Sequence, residues 1–128
     1  MANLNELKKY LYYDFSSGPY TGQDYLTFQT KYINYLRSLC KTNGWELVNV
    51  GRGHYYFSAF IKNTDGKYLY ISIDDVRGCN NHWYDRILIR TAAHAKDYRG
   101  GHNFYTSLTE LTEKAERLFL LEHKGGVT

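Results

Sequence analysis

The stretch KYLYISID, residues 67–74, decides the fold class because its apolar and polar side chains alternate with a period of two. Successive side chains of a β-strand point to opposite faces of the sheet. We therefore expect Leu69, Ile71 and Ile73 to face the core. The side chains expected on the other face are those of Tyr68, Tyr70 and Ser72.

The same period of two recurs in three further segments rich in β-branched and aromatic residues. These segments are residues 45–50, 55–63 and 85–91. Glycine-containing turns at 51–53 and 64–66 separate the first three strands, and a longer connection, 75–84, leads to the fourth. Because short connections favour antiparallel neighbours, we predict a four-stranded antiparallel meander.

Three segments carry apolar residues every three or four positions, which is the period of an amphipathic helix. They cover residues 3–13, residues from Thr21 to the Asn-Gly pair at 43–44, and residues from Ser107 towards the Gly-Gly pair at 125–126. The second segment carries an aromatic stripe that we interpret as packing against the sheet, formed by Tyr25, Phe28, Tyr32, Tyr35 and Leu39. The predicted fold is α+β, in the order α-α-β-β-β-β-α, with the helices mainly on one face of the sheet.

Length and composition limit the class of protein. The chain has 128 residues, which fits one domain over 1–128, and two cysteines, too few for a disulfide framework. Because no secretion signal is recognisable and no apolar stretch reaches the roughly 20 residues that span a bilayer, we expect a soluble cytoplasmic protein. The formal net charge of +3 permits nucleic acid binding and disfavours an acidic protein that imitates DNA.

Residues 74–105 are rich in cysteine, histidine and carboxylate side chains that could bind a metal ion. In a meander, the turn after the first strand and the connection after the third lie at the same end of the sheet, and a Gly-rich loop could return His102 to that end. The four residues that could then form a structural zinc site are His54, Cys79, His82 and His102. His94 would start at the opposite end of the fourth strand. The alternative is that Cys79 is a small loop residue and the histidines make surface contacts.

Catalysis is a further alternative. Cys79 with His82 or His54 and an acid such as Asp75 could form a thiol–imidazole pair, and Asp74, Asp75 and Asp85 with a histidine could bind a divalent metal for phosphodiester cleavage. Neither set has the spacing of a known catalytic motif. Acidic residues after a strand more often form turns or pair with arginines, so we predict that the chain is not an enzyme.

The face opposite the predicted core should combine Tyr68, Tyr70, Arg86 and Arg90. Tyrosine rings that stack on bases and guanidinium groups that bind phosphate are typical of sheets that bind single-stranded nucleic acid. The same side chains are common anchors of protein interfaces. A third alternative is that a helix or loop covers them.

The runs YFSAFIKNTDGKYLYISIDDVR and ILIRTAAHAKDYRGGHNFYTSL resemble small proteins of Gram-positive phages and mobile elements. Within that group the chain resembles type II-A anti-CRISPR proteins. The resemblance implies a non-enzymatic inhibitor that binds Cas9, or its complex with guide RNA, in the cytoplasm of the bacterial host. The residues expected to contact this partner are Tyr68, Tyr70, Arg77, Arg86, Arg90 and Arg99. The similar proteins generally lack Cys79, His82 and His102, so a zinc site would be particular to this chain.

Overall fold

The computed structural model describes residues 4–10, 21–53, 56–73, 83–99 and 102–121. The helices are α1 (Leu4–Lys8), α2 (Thr21–Thr42) and α3 (Leu111–Phe119). The strands are β1 (Glu46–Arg52), β2 (Phe57–Lys62), β3 (Tyr68–Ile73), β4 (Ile87–Ala92) and β5 (Phe104–Thr106). The α+β class is confirmed.

The strands form one antiparallel sheet in the order β1-β2-β3-β4-β5. The prediction of four strands is wrong by one, because Phe104–Thr106 pairs with β4 and adds a fifth. A segment of three residues is too short to show a period of two in its sequence. This strand is recognised only by its pairing with β4.

The hairpin and helix ends follow local signals. The turn predicted at 64–66 is present: the Asn63 side-chain oxygen accepts hydrogen bonds from the backbone amides of Asp65 and Lys67, and Gly66 takes a φ of 78°. Helix α2 ends with Gly44 at a φ of 74°, and the amide of Trp45 donates to the Cys40 carbonyl at 2.7 Å. This is a Schellman motif, which requires a residue that tolerates the left-handed conformation.

The core lies between one face of the sheet and the helices. Leu69, Ile71 and Ile73 are at most 4 % exposed, as the alternation in residues 67–74 predicts. In the aromatic stripe of α2, Phe28 and Tyr32 are buried and pack on Trp83, with ring centroids 5.0 and 5.5 Å away. Strand β2 also contributes to this cluster, since the ring centroids of Tyr32 on α2 and Phe57 on β2 are 5.0 Å apart. All three helices contribute buried residues to the same core.

Candidate binding surface on the outer face of the sheet

The face of the sheet opposite the helices, here called the outer face, contains three rows of side chains that cross the strands. One row consists of Glu46, Lys62, Tyr68 and Ala92. The covered row consists of Val48, Phe60, Tyr70 and Arg90, which are paired from β1 to β4. The open row consists of Gly51, Ser58, Ser72, Leu88 and Tyr105, which are paired from β1 to β5. In the covered row Phe60 is 0 % and Arg90 only 4 % exposed, although none of the described helices packs on this face.

The cover comes from residues 93–99, here called the fold-back segment, which follow β4. The Tyr98 ring packs on Phe60 and Tyr70 in edge-to-face geometry, with centroids 5.3 and 5.8 Å away. The Arg90 guanidinium donates to the Asp97 carbonyl oxygen at 3.1 Å, and its Cζ lies 4.3 Å from the centroid of the Tyr70 ring. A buried guanidinium is thus stabilised by a carbonyl dipole and an aromatic face.

The fold-back segment also stabilises itself. The two carboxylate oxygens of Asp97 accept hydrogen bonds from the backbone amides of Ala93, at 2.8 Å, and Arg99, at 3.2 Å. These two hydrogen bonds close a compact loop and hold the backbone at Ala93 and at Arg99 against the Asp97 side chain. Tyr98 and Arg99 therefore project from a loop of defined shape.

Asn49 connects the fold-back segment to β1. Between Val48 and Gly51 the register of β1 with β2 shifts by one residue, and Asn49 takes a φ of 48° at this bulge. The bulge directs the Asn49 carboxamide nitrogen to the Ala95 carbonyl oxygen, 2.6 Å away, and the Tyr98 hydroxyl oxygen, 3.1 Å away. Asparagine is one of the few residues besides glycine that adopt this backbone conformation readily.

The open row is accessible to a partner. From β1 to β3 it consists of small residues, and on β4 it has half-buried Leu88. A Cβ on Gly51 would lie 3.1 Å from the Ser58 hydroxyl, so even alanine would be crowded there. At the β5 end Tyr105 is 46 % exposed, and the Cζ of exposed Arg86 lies 4.0 Å from the centroid of its ring. The outer face therefore offers a flat floor of mostly small residues with a stacked Tyr–Arg pair at one end.

The six predicted contact residues differ in accessibility. Arg86 and Arg99 are exposed, whereas Tyr68 and Tyr70 are half-buried. The expected open position of Arg90 is wrong, because the fold-back segment buries its guanidinium. Arg77 lies outside the described residues.

Asn49, Tyr98 and Tyr105, which shape this surface, were not among the predicted contact residues. Asparagine is disfavoured in strands, so its presence inside residues 45–50 was the available signal for a bulge. Tyr98 and Tyr105 carried no such signal, because their exposure depends on contacts with distant strands.

The predicted zinc ligands are largely outside the described part of the chain, which omits His54, Cys79 and His82. His102 is described; it is exposed, and its ring packs edge-to-face on Phe104 with centroids 4.9 Å apart. Among the described residues, no group of three or more His, Cys, Asp or Glu side chains could hold a metal ion. The four-ligand zinc site stays a prediction.

Of the three aspartates considered for metal-dependent catalysis, Asp74 and Asp75 lie outside the described residues. Asp85 has a φ of 55°, and its carboxylate accepts a hydrogen bond from the Leu108 amide at 2.9 Å. Burial raises the pKa of Asp85, while the Leu108 amide and the charge of Lys8 lower it. This carboxylate joins the start of β4 to the turn that precedes α3.

A pocket of about 350 Å³ lies where the ends of β3, β4 and α3 meet. Its lining includes Lys67, Ala92, Leu118, Phe119 and Leu121. The Lys67 ammonium group donates to the Phe119 carbonyl oxygen at 3.0 Å. This cation therefore stabilises the carbonyl end of α3.

No helix in the described ranges is both long and apolar enough to span a bilayer. No known protein family, curated protein or solved structure matches the chain.

Proposed function

We propose that the chain is a non-enzymatic inhibitor of a type II-A Cas9 that binds Cas9, or the Cas9–guide RNA complex, through its outer face. The observation that carries the proposal is the stacked pair of exposed Tyr105 and Arg86, together with exposed Tyr98 and Arg99 on the fold-back segment. Tyrosine and arginine are the residues most often found at the energetic centre of protein interfaces. The choice of Cas9 as the partner rests on the sequence resemblance alone.

The fixed position of the fold-back segment supports this function. Association is weakened when loops and long side chains must be ordered at the interface. Tyr98 is already oriented by Asn49, Phe60 and Tyr70, and Arg86 already rests on Tyr105. A partner that docks here would therefore order few additional side chains.

The dimensions of the outer face indicate how much more surface the partner covers. Five strands spaced by about 4.8 Å give a face roughly 20 Å across, and β4 is about 20 Å long. A standard interface buries about 800 Å² on each partner, roughly twice the area of this face. We therefore expect the interface to extend over the fold-back segment and the β5 edge.

The proposal is tested with purified chain and a panel of type II-A Cas9 proteins, each with and without guide RNA. Pull-down should recover a complex, and the chain should inhibit DNA cleavage in proportion to its concentration. Arg86→Ala and Tyr105→Ala should weaken both effects. The control, Arg37→Ala, removes an exposed arginine from α2, in the helical layer, and should leave them unchanged. No complex and no inhibition across the panel would reject the proposal.

A further inference from the structure

We infer that the outer face also binds single-stranded nucleic acid directly, with bases stacked on Tyr98 and Tyr105 and phosphates at Arg86 and Arg99. This activity goes beyond Cas9 inhibition and does not depend on it, because it belongs to the free chain. Four observations carry it: the exposure of the rings, their orientation, the charge around them and the flatness of the floor between them.

The two rings are available for stacking. Tyr98 is 55 % and Tyr105 46 % exposed, although both have defined contacts within the protein. The Tyr98 hydroxyl accepts from Asn49, and the Tyr105 ring is in contact with Arg86. Aromatic rings held in place on a sheet stack on bases whatever the sequence of the strand, because every base has a π-face.

The charge around these rings is positive. The cations on the outer face and the fold-back segment are Lys62, Arg86, Arg90, Lys96 and Arg99, whereas the described acidic residues there are Glu46 and Asp97. Both carboxylate oxygens of Asp97 accept hydrogen bonds from backbone amides of its own loop. Arg90 is buried, which leaves Lys62, Arg86, Lys96 and Arg99; Arg86 contacts the Tyr105 ring, and Arg99 follows Tyr98 in sequence. A surface with this excess of positive charge complements a phosphate backbone.

The shape favours a single strand over a duplex. Tyr98 lies over β2 and β3, and Tyr105 is on β5, two strand spacings or about 10 Å from β3. Between them the open row presents Ser72 on β3 and half-buried Leu88 on β4, so the path holds one small and one apolar side chain and no exposed large one. Sheets that bind RNA stack two or three bases over comparable distances. A duplex keeps its bases stacked inside and would leave both rings without a partner.

The experiment measures fluorescence anisotropy of a labelled mixed-sequence oligonucleotide, as DNA and as RNA, titrated with the free chain in the absence of Cas9. Binding at low salt should weaken with added salt, with a slope of log K against log salt of about −0.7 for each phosphate contacted. Arg86→Ala and Arg99→Ala should each reduce the magnitude of this slope by about 0.7. Tyr105→Leu should lower the affinity about tenfold, since the stacked base loses its ring.

Three controls decide the interpretation. Arg37→Ala on α2 should bind like the parent chain, the duplex form of the same sequence should bind more weakly, and polyglutamate should not displace the oligonucleotide. No complex at low salt would overturn the inference. So would equal affinity for the duplex, displacement by polyglutamate, which would assign the face to an acidic protein, or an equal loss in Arg37→Ala. Because Cas9 is absent throughout, these results are independent of the inhibition assays.

Discussion

The Asn49 carboxamide nitrogen lies 3.1 Å from the Tyr98 hydroxyl oxygen and 2.6 Å from the Ala95 carbonyl oxygen. A carboxamide nitrogen carries two hydrogens, so one side chain can make both bonds. The bulge in β1 aims this side chain, and the fold-back segment supplies both acceptors. The bulge in the first strand thus helps to fix the accessible Tyr98 ring over the neighbouring strands β2 and β3.

Replacing Asn49 separates the backbone role of this residue from its hydrogen bonds. Asn49→Gly removes both bonds but tolerates a φ of 48°, whereas Asn49→Ala removes the bonds and is also strained. Both variants should increase amide hydrogen exchange in residues 93–99. In urea denaturation, Asn49→Ala should have a free energy of unfolding about 1 kcal/mol lower than Asn49→Gly. Unchanged exchange of 93–99 in both variants would show that Asn49 does not hold the segment.

The strands β2, β3 and β4 could be predicted because their pattern is local. The alternation in residues 67–74 places Leu69, Ile71 and Ile73 correctly in the core, and Asn63 with Gly66 marks the turn before them. A side chain's face in a strand follows from its neighbours in sequence. These features need no knowledge of the rest of the chain.

The candidate surface could be predicted only in part, because its cover is nonlocal. The pattern put Tyr70 and Arg90 on the face opposite the core, as found. Whether that face is open depends on residues 93–99, which fold back over strands distant in sequence. Likewise, the start of α3 at Leu111, later than the expected Ser107, reflects a turn at residues 108–110 whose Leu108 amide is bound by Asp85.

Arg90 should contribute to stability although it is a charged residue on the face opposite the helices. Arg90→Met keeps apolar volume over Tyr70 but removes the hydrogen bond to the Asp97 carbonyl and the cation–π contact. We expect the free energy of unfolding to fall by about 2 kcal/mol in urea denaturation. The matched control, Arg99→Met, changes an exposed arginine and should alter it by less than about 0.5 kcal/mol. Equal effects of the two variants would contradict the structural role of Arg90.

Cys40 should be unreactive in the folded protein. It is 1 % exposed in the core, and burial raises the pKa of its thiol to about 12. Thiolate is the reactive form, so iodoacetamide near pH 8 should leave the tryptic peptide that contains Cys40 unmodified in the native state. The same peptide should be fully alkylated in concentrated urea. Rapid native-state alkylation of this peptide, read by mass spectrometry, would show that the core opens around α2.

The zinc hypothesis makes a stoichiometric prediction. If His54, Cys79, His82 and His102 bind zinc, elemental analysis of protein purified without chelators should find about one zinc per chain. Cys79→Ser and His102→Ala should each lower this content. The control is His94→Ala, because His94 follows the C-terminal end of β4, whereas the connection that holds Cys79 and His82 leads to its N-terminal end. Zinc-free protein, or equal zinc content in all variants, would reject the site.

Asp85 should make stability depend on pH in the direction opposite to that of a salt-bridged carboxylate. Because burial raises its pKa in the folded state, the folded protein binds a proton more tightly than the unfolded chain. Above the unfolded value of about 3.9 and up to the raised folded value, the free energy of unfolding should therefore decrease as pH rises. Asp85→Asn keeps an oxygen that can accept from the Leu108 amide but cannot ionise, so this decrease should be smaller. Urea denaturation across this pH range measures both proteins, and identical pH profiles would show that Asp85 has the same proton affinity folded and unfolded.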